Sequence, residues 1–151
     1  MANTYLSDED YGFIFGNVPR ICIDLLIRNS NGHILLALRN IPPYQNIWHF
    51  PGGGVRFKET FEDAASRISN KEFGSSVKLL REIGSCQILN DDIDKKTPRH
   101  SISVVFEAEL NGQKIKTTDE TKDIRFFEKV PPNMHPYHRD FILKHGILIP
   151  T

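Results

Sequence analysis

The chain has 151 residues, 39% of them hydrophobic and 25% charged, and its 19 Lys plus Arg balance 19 Asp plus Glu. That composition suits one folded domain and excludes a disordered chain. Zero net charge leaves no global field to attract nucleic acid or an anionic membrane, so neither partner is expected and an anionic ligand must be held by a local site.

Ser7 can cap a short helix from Asp8 to about Phe15, with acidic residues in its first turn. Asp8, Glu9 and Asp10 precede any apolar run, which is unlike a signal peptide. The apolar runs fall short of the roughly 20 residues that span a bilayer. A cytoplasmic protein is expected. Residues 1–20 read as an N-terminal arm that docks on the domain or makes a dimer contact, and 21–151 as a single domain.

Alternation predicts a strand over Ile21 to Arg28, a turn at Asn29 to Gly32, and a second strand in HILLALR, together a hairpin. NIPPYQN is a loop, and IWHF a short strand ending at Pro51. Thr60 and Asp63 resemble a capping box that opens a helix carrying Phe61, Ala65, Ile68 and Glu72 on one face, with Gly74 as its stop. VKLLREIGSCQIL supplies one or two strands, and NDDIDKKTPR a polar loop. HSISVVFEAEL and DIRFFE are further strands, NGQ is a turn, PPNMHP a loop, and Tyr137 to Lys144 a last helix before Gly146. The fold class is α+β, a mixed sheet packed between helices. Cys22 and Cys86 lie in strand-like sequence and are expected as buried thiols, and no Cys/His spacing suggests zinc.

The chemistry is concentrated at GGGVRFKETFEDAASRISNKEFGSS, Gly52 to Ser76. Glycines let backbone approach a ligand closely, and the helix after Thr60 aims its free N–H groups back at them. Carboxylates supply the oxygen ligands that Mg²⁺ shares with waters and phosphates. A magnesium–diphosphate site is consistent with this.

Gly53, Glu59, Arg67, Glu72 and Gly74 match the spacing of the Nudix box, Gly-x5-Glu-x7-Arg-Glu-U-x-Glu-Glu-x-Gly-U, where U is bulky and apolar. WHFPGGGV resembles the usual entry to that box, and the chain is identified as a member of the Nudix hydrolase family, in an α/β/α sandwich. The box is reduced: Ile68 and Lys71 stand where Glu is usual, and Ser75 takes the final apolar position. The remnant resembles the GDP-mannose mannosyl hydrolase branch, whose enzymes attack the anomeric carbon and release sugar and nucleoside diphosphate.

That resemblance implies one Mg²⁺, with Mn²⁺ as the alternative, held by the Gly52 carbonyl and Glu72. It implies that Arg67 orients Glu72 or meets substrate, and that Asp24 and Arg39 serve substrate binding and catalysis. Glu59 matches a box residue that is mainly structural. His100 aligns with a strand His of the branch. The branch has Arg where Gly54 stands, and Gln-His where Thr121 and Lys122 stand, so the general base is unassigned; Asp119, Glu120 and Asp123 are nearby carboxylates. The branch also commonly dimerises through its N-terminal segment.

Outside the motif, Tyr44 can contact a nucleobase or sugar, and Trp48 and Phe50 are expected in the core. His49 lies beside the motif. His33, His135, His138 and His145 are expected at the surface or in packing, and Lys95, Lys96 and Arg99 in a solvated loop that could meet phosphate. The substrate expected is a small nucleotide. Three activities remain open: a nucleotide-sugar hydrolase, a pyrophosphohydrolase cleaving P–O in a nucleoside diphosphate compound, or a nucleotide-binding module without catalysis.

Overall fold

The computed structural model describes residues 5–41, 44–89, 99–112 and 114–148. Lys95, Lys96 and most of the loop predicted around them lie outside the described residues. The element order is α1 (Asp8–Phe15), β1 (Arg20–Ile27), β2 (Ile34–Arg39), β3 (Trp48–His49), β4 (Gly52–Gly54), α2 (Phe61–Phe73), β5 (Val77–Ile88), β6 (Ser101–Leu110), β7 (Thr121–Phe127) and α3 (Pro136–Lys144).

The strands form two sheets, in the orders β4-β1-β6-β5 and β3-β2-β7. In the first, β1 runs parallel to β6 and antiparallel to β4. The predicted hairpin of β1 and β2 is therefore corrected. The turn is present, with Gly32 at φ 79, but the two strands meet only in the bridge Arg28↔Ile34 and then part into different sheets. The reason is burial on both faces. Ile23, Leu25 and Ile27 pack in one core with Leu35, Ala65, Ile68 and Phe106, while Leu26 packs in another with Leu36, Phe50, Val105 and Phe141. Strands covered on both sides take partners from across the chain rather than from the adjoining turn. The first core carries α2 and the second α3, so the layers are helix, sheets, helix.

The helix signals act as the sequence implies. Ser7 Oγ accepts from Asp10 N, Thr60 Oγ1 accepts from Asp63 N, and Gly74 closes α2 in the left-handed conformation. None of the α1 residues is buried, and Phe13 is 74% exposed, so α1 is not sealed into the domain. Trp48 and Phe50 are core residues, and Cys22 and Cys86 are free buried thiols. VKLLREIGSCQI makes one strand, β5, with register shifts after Leu79 and Glu82. No helix among the described residues is long and apolar enough to cross a membrane.

Candidate active site

The glycines of the motif form a strand, β4. Gly52, Gly53 and Gly54 pair with Asp24, Ile23 and Cys22 of β1. A side chain at position 52 would collide with Asp24 Oδ1 and the Ile23 carbonyl, so only glycine brings this backbone against the carboxylate.

Asp24 is buried. Its Oδ2 accepts from Ser103 Oγ at 2.5 Å and lies 3.2 Å from His138 Nε2. His138 Nδ1 in turn accepts the Phe50 N–H at 3.1 Å. A nitrogen that accepts carries no proton, so the His138 proton sits on Nε2 and points at Asp24. Burial alone would raise the Asp24 pKa; His138 and the Ser103 hydroxyl outweigh it and hold the carboxyl below its usual range. Asp24 is thus an ionised carboxylate with both donors on one oxygen.

His135 and His138 fall on the packing side of that expectation, and His138 also meets Asp24. Both are buried, and their rings stack at 4.3 Å between centroids. The signal available in the sequence is HPYH at the start of α3, which puts two imidazoles one turn apart. Ser103 was likewise legible as a small polar residue on one face of an apolar strand.

A cavity of about 140 Å³ opens beside Asp24, its walls including Ser103, Arg39, Tyr44, His49 and His138. Tyr44 adopts φ 63 and lays its ring 4.2 Å from that of His135. His100 is not among the described residues lining the cavity; its carbonyl accepts the Arg20 N–H. Lys122 is exposed and donates to Asn46 Oδ1 at 3.2 Å, so nothing here equips it as a base.

Glu72 is buried on α2 at the β4 edge. Its Oε1 lies 3.5 Å from Gly52 N, and its Oε2 has no hydrogen-bond partner. An orphaned buried carboxylate oxygen is costly unless something binds it. Burial pushes the Glu72 pKa up to about 8, against the pull of the Gly52 N–H and Arg39, while the charges of Glu120 and Asp24 add to the rise. Glu120 itself pairs with Lys71 at 3.4 Å. Ile68 lies in the core, so two positions where the full box carries carboxylates serve packing and a surface ion pair here. Among the described residues no three His, Cys, Asp or Glu side chains gather as a metal cage.

Arg67 does not orient Glu72, which corrects that expectation. Its Nε and Nη2 each donate to the Glu59 carboxylate at 2.8 Å, and Nη2 also reaches the Gly54 carbonyl at 2.7 Å. Glu59 Oε1 accepts the Arg56 N–H as well. The fork of Arg67 is the right shape for a carboxylate one turn ahead of α2, so this pair braces the glycine strand from outside.

Burial, with the Arg39 charge adding to it, lowers His49 to about 3, and burial lowers His135 to about 2. Below about pH 6.5 the unfolded chain takes up two imidazole protons that the fold refuses, so acid destabilises. Between about pH 4.3 and 8 the unfolded chain releases the Glu72 proton that the fold keeps, so alkali destabilises. Metal-free protein is therefore expected to be most stable near about pH 6.5. Urea denaturation in chelator at about pH 5, 6.5 and 8 checks this, and a midpoint that climbs steadily to the highest pH would refute it.

A sandwich of two helices around two sheets, with a glycine strand and a braced acidic helix at one edge, defines a hydrolase of the Nudix type. The family model described as NUDIX domain matches residues 18–144, and the chain belongs to the Nudix hydrolase family. It is 29% identical over 136 residues to the low-salt glycan biosynthesis protein Agl8 of Haloferax volcanii, covering 89% of this chain and 86% of that one. It is 31% identical over 110 residues to an ADP-ribose pyrophosphatase of Methanocaldococcus jannaschii, covering 73% of this chain and 62% of that protein. The MutT protein structure from Methanosarcina mazei shares the fold, with TM-score 0.71 and 22% identity over 86% of this chain and 95% of that chain.

Proposed function

We propose that this protein hydrolyses a nucleoside diphosphate sugar with one divalent cation, Mg²⁺ or Mn²⁺, releasing sugar and nucleoside diphosphate. GDP-mannose is the first compound to try. The observation that carries the reading is Asp24: a buried carboxylate held ionised by Ser103 and His138, facing a glycine backbone. Breaking the bond at an anomeric carbon builds positive charge on the sugar, and a fixed anion beside it lowers that barrier. The likeness to a glycan biosynthesis protein supports a sugar-bearing substrate.

The Gly52 carbonyl and the orphaned Oε2 of Glu72 would hold the cation, with waters and the diphosphate filling the rest of its shell. Bound there, it offsets charge on the departing diphosphate. Arg39 lines the same cavity and draws the diphosphate by charge. Tyr44 closes the side against His135 and meets the sugar or base. Water bonds to the anomeric carbon as the C–O bond breaks, its proton passing to solvent, and the electron pair leaves on the diphosphate.

The likeness to an ADP-ribose pyrophosphatase favours a second reading, cleavage at phosphorus. Turnover in ¹⁸O-water decides. Label in the sugar is expected; label in phosphate alone assigns the reaction to phosphorus, and binding without turnover across a broad panel of nucleotide sugars removes the hydrolytic reading.

A further inference from the structure

One residue, Phe50, decides how two imidazoles meet the cavity. Its side chain is enclosed in the core, which holds its peptide groups in place. Its N–H donates to His138 Nδ1 at 3.1 Å, which leaves the His138 proton on Nε2, facing Asp24. Its carbonyl lies 2.6 Å from His49 Nδ1. A carbonyl can only accept, so His49 carries a proton on Nδ1. Burial keeps the His49 ring neutral, with its pKa lowered to about 3. A neutral ring protonated on Nδ1 has a bare lone pair on Nε2. Phe50 thus sets opposite tautomers in the two rings. His138 presents a donor, which Asp24 takes, and His49 presents an acceptor.

That acceptor is open. Among the described residues the hydrogen bond to Phe50 is the only one made by the His49 ring, and His49 borders the cavity together with Asp24 and His138. The His49 and His138 rings stand 6.4 Å apart between centroids, and His49 is near enough to Asp24 to feel its charge. A cavity of about 140 Å³ is close in size to one that takes a benzene-like ring. Asp24 and His49 therefore address the same sugar ring. An imidazole that holds a proton so weakly is a poor general base, and its lone pair suits a hydrogen bond from a hydroxyl.

We infer that His49 is a specificity-determining residue, whose Nε2 accepts a hydrogen bond from the sugar hydroxyl next to the anomeric carbon. This deepens the proposed function and rests on it for the placement of that carbon at Asp24. The hydroxyl on C2 is borne by the neighbour of the carbon on which positive charge develops. That charge makes the hydroxyl a stronger donor, so the contact tightens in the transition state. A sugar lacking the hydroxyl leaves the lone pair unmatched and is rejected.

The test compares GDP-mannose, or the best nucleotide sugar of the panel in its place, with the 2-deoxy analogue. The proteins are the wild type, His49→Phe and His49→Gln. Phenylalanine keeps a ring and removes the acceptor, whereas glutamine returns an acceptor oxygen near the place of Nε2. The readouts are kcat/KM for both compounds and, by calorimetry with Mg²⁺, Kd for both. His49→Phe should shrink the preference for the hydroxyl, taken as the ratio of the two kcat/KM values, by at least about tenfold. His49→Gln should hold that ratio within about threefold of the wild type. Misfolding lowers both values alike and leaves the ratio alone. A ratio unchanged in His49→Phe, or lowered equally by both variants, overturns the inference. Should turnover occur at phosphorus or not at all, a hydroxyl preference in Kd that His49→Phe removes keeps the contact and sinks only the reaction at the anomeric carbon.

Discussion

Asp24→Asn is expected to lower kcat by about a thousandfold while KM changes little. The asparagine keeps the shape, and its amide oxygen can still accept from Ser103 and His138 at the place of Oδ2. What is lost is the negative charge, which matters only as positive charge develops on the sugar. Uniform substrate binding would instead show as a rise in KM. Steady-state kinetics on the best nucleotide sugar, with circular dichroism to confirm folding, makes the measurement. A kcat within about tenfold of the wild type would remove Asp24 from the chemistry. The Oδ2 oxygen has its donors on one side, and the other oxygen is pressed toward Gly52, so this carboxylate is aimed and not merely buried.

Glu72→Gln carries the second large effect, and its two parts point in opposite directions. Metal-free protein at about pH 8 should become more stable, by on the order of a few kcal/mol, because the variant removes a buried group that unfolding would let ionise. The same change should abolish the stabilisation that Mg²⁺ gives the wild type, and lower kcat by at least about a hundredfold. Thermal denaturation in chelator and in excess Mg²⁺ separates the effects. A Gln variant that loses stability in chelator, or that still responds to Mg²⁺, would contradict the role given to the orphaned oxygen. The substitution should also flatten the alkaline side of the stability profile, since above about pH 6.5 the fall comes from Glu72 and not from the histidines.

Local signals in the sequence placed the helices closely. Ser7, Thr60 and Gly74 act within a few residues of themselves, so their hydrogen bonds could be read from the string. Pairing of strands depends on what covers each face, and that is set by α2 and α3 from far along the chain, so a turn at Gly32 suggested a hairpin that the fold does not build. Glu72 could be named from the spacing of the box, whereas Gly52, Asp24 and Arg39 were named only through the resemblance to one branch of the family. The donors to Asp24 could be named in neither way. Ser103 and His138 reach it from β6 and α3, and only the stacked layers bring them within bonding distance. Arg67 illustrates the converse: a spacing match identified a charged residue correctly while its partner proved to be Glu59.

β1 serves the interior and the chemistry at once. Ile23 and Leu25 are wholly enclosed on one side of it, and Asp24 sits between them on the other. Drift in that segment would harm folding before it could alter turnover. Arg20, Arg99 and Tyr44 occupy strand ends and connecting segments, where exchange disturbs little packing. Laboratory evolution toward new donors should therefore accumulate its changes at those margins and leave the reactive centre as it stands.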